Sequence, residues 1–526
     1  MSTADLVGND TNGVRGIDDE RRAKFKNAGK TNDELRRKRV EENLELRKIK
    51  REDTLMKRRN VDLDGLVSSP ESPQREQTSE LTPDAEVQLC SKNLFEGASG
   101  PKMFNSLQRL RKLLSREANP PIDIVLRAGL LPRLVAFLSY DDENVQLEAA
   151  WAVTNIASGS SEHTAAVIQA GAVPVLLQLF NTSPSMPVAE QALWGLGNIV
   201  GDGPDKRDYL LSLGFTTDII SCMKSKPDIP PSFVKNLAWI ISNLTRGRSP
   251  PPDYQTVKRF LPVLSYMLDY NNVETVVDAL WSLSYLSDGP NDQVQGVVDA
   301  GIVPKVVRIM KVANDPRLMT PCVRVIGNVV TGTDEQTDAA LKAGALDAVG
   351  HALNSTKSTL VKEACWLISN IAAGTPEQLK KIFEANVLPV VRAVMQHGEY
   401  KCQKEATWVI ANIMMGGTPK MLEVLINEHY IEPFVAMLKG TDAKLVVMLL
   451  DALATGLQVA ARSGFDEKFK LIVEECGGLD TLELLQNHEN EDVYNKAHHI
   501  LENFFCDEGE DAVEIEGAAG DGKFDF

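Results

Sequence analysis

A tryptophan followed four residues later by an asparagine returns along this chain inside otherwise apolar stretches. It appears first in AAWAVTNIASG, residues 149–159, as Trp151 and Asn155. Four further intact copies carry Trp194 with Asn198, Trp239 with Asn243, Trp366 with Asn370, and Trp408 with Asn412. Two copies are altered: Trp281 is followed by Tyr285, and Asn328 is preceded by Arg324. The interval is roughly 42 to 45 residues, the period of a two- or three-helix repeat stacked into a solenoid. Residues i and i+4 share one face of a helix, so each copy presents its tryptophan and asparagine together.

In the first copy the core face falls to Ala149, Ala150, Val153, Ile156 and Ala157. Asparagine is a poor mid-helix residue unless its amide finds a partner. A single such pair is most simply read as core filler plus a cap on a neighbouring helix. Five intact copies at one period are not, because packing asks only for an apolar residue, not always Trp with Asn. The ladder is therefore read as functional.

With 526 residues the chain exceeds the size at which one core stops growing, so several domains or a repeat array are expected. No apolar run approaches a membrane span in this reading, and the N-terminus is polar, so neither anchor nor signal peptide is expected. The seven cysteines are scattered without a C-x-x-C pair, which reads as buried free thiols in a reducing compartment. A net charge of −17 argues against nucleic acid as the main partner and fits basic ligands.

That charge is unevenly spread. Residues 1–20 are polar and expected to be disordered. From Arg21 to Arg59 the chain is dense in Arg and Lys; its middle part, with Leu35, Val40, Leu44, Leu46 and Ile49 as a sparse apolar stripe, reads as a basic amphipathic helix of the kind that binds an acidic partner groove, an anionic membrane or nucleic acid. The alternative there is a solvated charge run. Residues 61–84 read as a flexible linker with three Ser/Thr-Pro pairs. A second internal repeat, of the form RAGLLPRLVAFL and QAGAVPVLLQLF, then supplies a turn glycine and a proline in a first helical turn. Each unit thus reads as a short helix, a middle helix starting near the proline, and a third helix bearing the ladder. The first unit puts Arg109 and Leu113 at the ladder positions; the last two have Asp451 with Thr455 and His499 with Asn503. Residues 85–505 form the array, and the acidic tail 506–526 is expected to be disordered.

GLGNIVG at Gly195 loosely resembles a dinucleotide loop but lies within a repeat helix and follows no strand. No phosphate-binding lysine loop, H-E-x-x-H or nucleophile elbow is present, and the histidines have no ligand spacing. The reading is a non-enzyme with no catalytic residues, no metal and no cofactor.

Packed helices lie 8–10 Å apart, and an extended peptide advances about 3.3 Å per residue. One rung therefore serves roughly three peptide residues. An asparagine can pair with a peptide N–H and C=O whatever the sequence. Neighbouring indoles form slots for the stem of a Lys or Arg, with a cation–π contribution of about 0.5–2 kcal/mol. Asp202, four residues after Asn198, can close such a slot with a carboxylate. The ladder is a reader of extended basic peptides.

The segment RRAKFKN…ELRRKRVEENLELRKIKRE…MKRRN resembles the importin-β-binding domain of importin-α, and with the ladder the resemblance to the importin-α family covers nearly the whole chain. It implies an all-α fold: a right-handed superhelical solenoid of about ten armadillo repeats behind a disordered basic N-terminal segment, residues 1–60. It implies a nuclear import adaptor shuttling between cytoplasm and nucleus, linking cargo with monopartite or bipartite basic signals to importin-β. The recycling exportin with Ran-GTP and nucleoporins are further partners it implies; direct nucleic-acid binding and membrane insertion are not expected. By the same resemblance a major site comprises Trp151, Asn155, Trp194, Asn198, Trp239 and Asn243, with Gly159, Thr164, Gln191 and Asp202 beside them. A minor site comprises Trp366, Asn370, Trp408 and Asn412 with Glu363 and Glu405, and Tyr285, Arg324, Asn328 and Asp334 as accessory positions. The basic cluster Lys57, Arg58 and Arg59 is expected to act as an autoinhibitory ligand of the groove. Two other functions compete: an armadillo scaffold binding acidic peptides, disfavoured by the acidic charge, and a chaperone for basic proteins, which the same groove would serve.

Overall fold

A computed structural model describes residues 57–58, 82–95, 100–225, 229–247 and 249–505 of the 526. The expected basic helix, the linker up to residue 81, Arg59 and the acidic tail lie outside them; the last two residues of the expected linker, Pro83 and Asp84, instead begin the helix Pro83–Phe95. The described residues are helical, without a strand among them, and divide into two compact units, 57–355 and 356–505.

One repeat shows how the sequence builds the unit. Ser160 caps the short helix Ser161–Gln169 through a capping box with His163. Gly171 then takes the left-handed conformation (φ +78°), turning the chain into the middle helix Ala172–Thr182, with Pro174 in its first turn. The third helix, Met186–Val200, carries Trp194 and Asn198. Where the turn glycine is replaced, Asn386 (φ 53°) and His429 (φ 60°) hold the same left-handed position. The copy RFLPVLSYML lacks that residue altogether, and a 3-10 turn, Lys258–Phe260, makes the bend instead.

Ten third helices recur among the described residues, from Gly100–Leu114 to Glu491–Phe504. Within each unit successive third helices pack side by side, and the middle helices pack against them. Ala149, Ala150, Val153, Ile156 and Ala157, the expected core face, are all fully buried. Gly197 is where the neighbour comes closest: a Cβ there would lie 2.5 Å from the Trp239 ring. The apparent nucleotide-loop glycine is thus a packing glycine.

Two expectations change. Helix Ala443–Ser463 is long and apolar enough to cross a membrane, so the chain does contain one apolar run of span length. Its Leu449, Leu450, Leu453 and Leu457 are buried, against helices Tyr400–Gly416 and Glu491–Phe504. The first unit also sits in a different register from the one expected. Arg111, not Arg109, lies against Trp151, and Ser115 faces Asn155, because the interval shrinks to 40 residues there; Arg109 instead pairs with Glu86 at 2.9 Å. The six described cysteines are free thiols, five of them buried, and burial pushes the thiols of Cys90 (to about 11), Cys322 and Cys365 up.

Candidate functional site

The ladder asparagines are buried, and five of them hold one repeat to the next. Asn198 Nδ2 donates to Thr154 O at 3.0 Å, Asn328 Nδ2 to Ser284 O at 3.0 Å, and Asn412 Nδ2 to Ser369 O at 2.7 Å. Asn243 Nδ2 reaches Gly197 O at 3.5 Å. In every case the acceptor is the carbonyl just before the ladder residue of the preceding repeat. Asn155 donates to Ser115 Oγ (2.9 Å), and Asn370 turns back to Trp366 O in its own helix (3.0 Å). The cap-like role and the peptide-reading role are therefore not alternatives, since a primary amide has two N–H groups and a carbonyl.

Asn198 uses all of them. Its Oδ1 accepts from Arg58 N at 2.7 Å, and its Nδ2 donates to Arg58 O at 3.0 Å as well as to Thr154 O. Trp194 Nε1 donates to the same Arg58 carbonyl at 2.8 Å. One rung thus grips both backbone groups of one residue through bonds that any residue type could make.

The side chains of that segment lie in two charged pockets. Lys57 Nζ donates to Gly159 O at 3.0 Å and Thr164 Oγ1 at 2.8 Å, and forms an ion pair with Asp202. Gly159 and Asp202 each sit just past the C-terminus of a ladder helix, where the negative end of the dipole favours a cation. The Asp202 side chain is almost fully buried, is fixed by Ser161 Oγ at 2.9 Å, and has Lys206 at 3.9 Å. The Arg58 guanidinium lies 4.7 Å from the centroid of the buried Trp239 ring and pairs with Asp278 at 3.2 Å. Burial raises the Asp278 carboxyl to about 6, against the lowering influence of Arg58.

Asp278 was missed from sequence, although a signal existed. The residue three before each ladder tryptophan is polar and buried: Glu148, Gln191, Asn236, Asp278, Glu363 and Glu405. Gln191 belongs to this row, one rung from the Lys57 pocket, and its backbone carbonyl accepts from Thr154 Oγ1 at 3.1 Å.

The remaining expected residues fall into two sets. Tyr285, Arg324, Asn328 and Asp334 belong to the first unit. Tyr285 stacks on Trp281 (6.2 Å between centroids), and the buried Arg324 guanidinium lies 5.6 Å from the same ring. The altered repeats thus cover their one indole with their own side chains. Asp334 opens helix Asp334–Lys342 behind the capping residue Thr333. Glu363, Trp366, Asn370, Glu405, Trp408 and Asn412 belong to the second unit, on the packed helices Ser358–Ala372 and Tyr400–Gly416, and all but the partly exposed Trp408 are buried.

Comparison with known proteins meets this geometry. Residues 21–107 match the family model described as Importin beta binding domain, and residues 118–158, 160–201, 333–373 and 375–415 match the Armadillo/beta-catenin-like repeat. An atypical Arm repeat matches residues 467–520. The chain is 40% identical to Importin subunit alpha-3 of Arabidopsis thaliana over 94% of its length and 93% of that protein's. It belongs to the importin-α family. Importin subunit alpha-2 of Caenorhabditis elegans is also 40% identical, over 95% of this chain and 96% of that one. An engineered protein of known structure superimposes with a TM-score of 0.69 at 27% identity, covering 80% of this chain and 98% of its own. As a member of the importin-α family the chain is a transport adaptor and not an enzyme, and its fold is an armadillo solenoid.

Proposed function

We infer that this importin-α family member is a nuclear import adaptor, binding importin-β through its basic N-terminal segment and basic nuclear localisation signals in the Trp/Asn groove. The observation that carries the groove assignment is the seating of Lys57 and Arg58: backbone on Asn198 and Trp194, ammonium on Asp202, guanidinium between Trp239 and Asp278. Cargo signals are the external ligands of these same contacts, so the Lys57–Arg58 segment competes with them and is autoinhibitory. Trp151, Asn155, Trp194, Asn198, Trp239 and Asn243 form the major site, with Gly159, Thr164, Asp202 and Asp278 as its cation pockets. Trp366, Asn370, Trp408 and Asn412, with Glu363 and Glu405, form a minor site. The family resemblance alone supports the recycling exportin with Ran-GTP and nucleoporins as further partners, and shuttling between cytoplasm and nucleus.

Asp202→Lys tests the assignment, because it swaps attraction for repulsion in a buried pocket. Because Lys57 occupies the same carboxylate, the comparison is made in the chain carrying Lys57→Ala, Arg58→Ala and Arg59→Ala: fluorescence anisotropy with a short lysine-rich peptide should show at least a hundredfold loss of affinity, about 2.7 kcal/mol, with helical content by circular dichroism unchanged. Equal binding by the variant and the parent removes Asp202 from the site.

A further inference from the structure

The buried acidic row contains two carboxylates within the first unit, Glu148 and Asp278, and both already hold an arginine. Asp278 holds Arg58, a residue of the N-terminal segment. Glu148 holds Arg111, which belongs to the solenoid itself, on helix Gly100–Leu114. Arg111 Nε donates to Glu148 Oε2 at 2.6 Å and its second nitrogen to Oε1 at 3.2 Å, so the pair is bidentate. Gln108 Nε2 donates to Glu148 Oε1 as well, at 3.2 Å. The Arg111 guanidinium also lies 4.3 Å from the Trp151 centroid. Both charged side chains are about nine-tenths buried. Arg111 therefore has the surroundings of Arg58: an indole face and a buried carboxylate three residues before a ladder tryptophan. Unlike the partners of Arg58, Trp151 and Glu148 come from the same helix.

We propose that Arg111 is a built-in occupant of the groove's first cation slot and a specificity-determining residue. It sets how many consecutive basic residues the groove reads, by filling the slot between helices Gly100–Leu114 and Glu143–Ala157. An arginine anchored on a packed helix loses less conformational freedom in the slot than one arriving on an extended peptide, so it holds the site against competition. The amide residues Gln191 and Asn236 occupy the two positions between Glu148 and Asp278 and offer no countercharge. Withdrawing Arg111 leaves Glu148 as a buried carboxylate that an incoming guanidinium can satisfy. This inference rests on the peptide-reading function proposed above.

The test uses the full chain carrying Lys57→Ala, Arg58→Ala and Arg59→Ala, which empties the groove of its own segment. The probe is a fluorescent lysine-rich peptide, alone and extended by one arginine at either end. The quantity read is the ratio of the two affinities for each extension. In the Arg111-containing chain neither extension should gain more than about twofold. In Arg111→Ala one extension should gain about tenfold, and adding Glu148→Gln should abolish that gain. Arg111→Gln keeps an amide donor for Glu148, guards against loss of fold, and should move in the same direction as Arg111→Ala. Equal ratios in all these proteins, with the unextended peptide still bound, reduce Arg111–Glu148 to a structural ion pair and overturn the proposal. Failure of the unextended peptide to bind the chain that retains Arg111 instead refutes the peptide-reading function on which the proposal stands.

Discussion

Residue by residue, the proposed function divides recognition in the groove between groups that ignore sequence and groups that read charge. Asn198 and Trp194 take the backbone of Arg58, whereas Asp202, Asp278 and Trp239 take the side chains. Asp278 gives this a pH dependence. Its carboxyl is raised to about 6 chiefly by burial, while the charge and hydrogen bond of Arg58 lower it. An empty slot lacks that lowering influence, and where the site stays dry the carboxyl titrates higher than with Arg58 present. Cation binding favours the carboxylate and releases a proton, so affinity is full above the empty-slot value and falls as pH drops through it toward about 6. An arginine-bearing signal peptide measured on the Lys57/Arg58/Arg59→Ala chain should bind several-fold weaker at pH 5.5 than at pH 8. Asp278→Asn should bind weakly throughout and flatten the profile; an unchanged slope in that variant assigns the titration to another group. Asp202 was legible from its spacing to Asn198, while Asp278 was legible only as one of a row, which comparison of all the copies reveals.

Among the elements, the third helices carry the packing and, on the proposed function, the recognition, and the two share atoms. Gly197 lets Trp239 approach until a Cβ would meet Trp239 Cζ3 at 2.5 Å and Ile240 Cγ1 at 2.7 Å. Trp239 is in turn the plate beneath Arg58. Gly197→Ala must displace a buried indole, which for an overpacked core costs about 1–3 kcal/mol. We expect a lower thermal midpoint by circular dichroism together with weaker peptide binding. At Gly195 the nearest atom, Thr154 Oγ1, lies at 3.0 Å and the rest at 3.5 Å or more, so Gly195→Ala should be milder in both respects. Equal effects at the two glycines would mean that Trp239 does not couple packing to recognition. The turn residues were legible where glycine stands, and Asn386 and His429 follow from their place in the pattern. The 3-10 bend at Lys258–Phe260 was not, because no local signal marks how a missing turn residue is replaced.

For the whole molecule, the proposed function makes the seating of Lys57 and Arg58 a competition with cargo. About 25 residues join them to the helix beginning at Pro83. A tether of that length, treated as a coil, spans about 25–30 Å and gives an effective concentration in the millimolar range. Full-length protein should therefore bind a cargo peptide at least tenfold more weakly, about 1.4 kcal/mol, than either a chain starting near residue 70 or full-length Lys57→Ala/Arg58→Ala/Arg59→Ala. Anisotropy on the three proteins checks this, and identical affinities leave the segment with an adaptor role only. What the sequence determined by itself is the periodic part: the repeat length, the all-helical class, the buried face of each third helix, the rows of Trp and Asn, and the basic segment. These follow from local periodicity and composition, which act within a few residues. What only the tertiary structure decided depends on partners roughly 40 residues or more apart: which carbonyl each asparagine tethers, which carboxylate meets Arg58, and the register of the first unit. Arg111 reaches Trp151 and Glu148 because that interval is 40 residues there, and no signature tryptophan marks the shift in the sequence. Side-chain pairing across a helix–helix interface is fixed by how the ridges of both helices interlock, and a single helix's sequence states only one side of that fit.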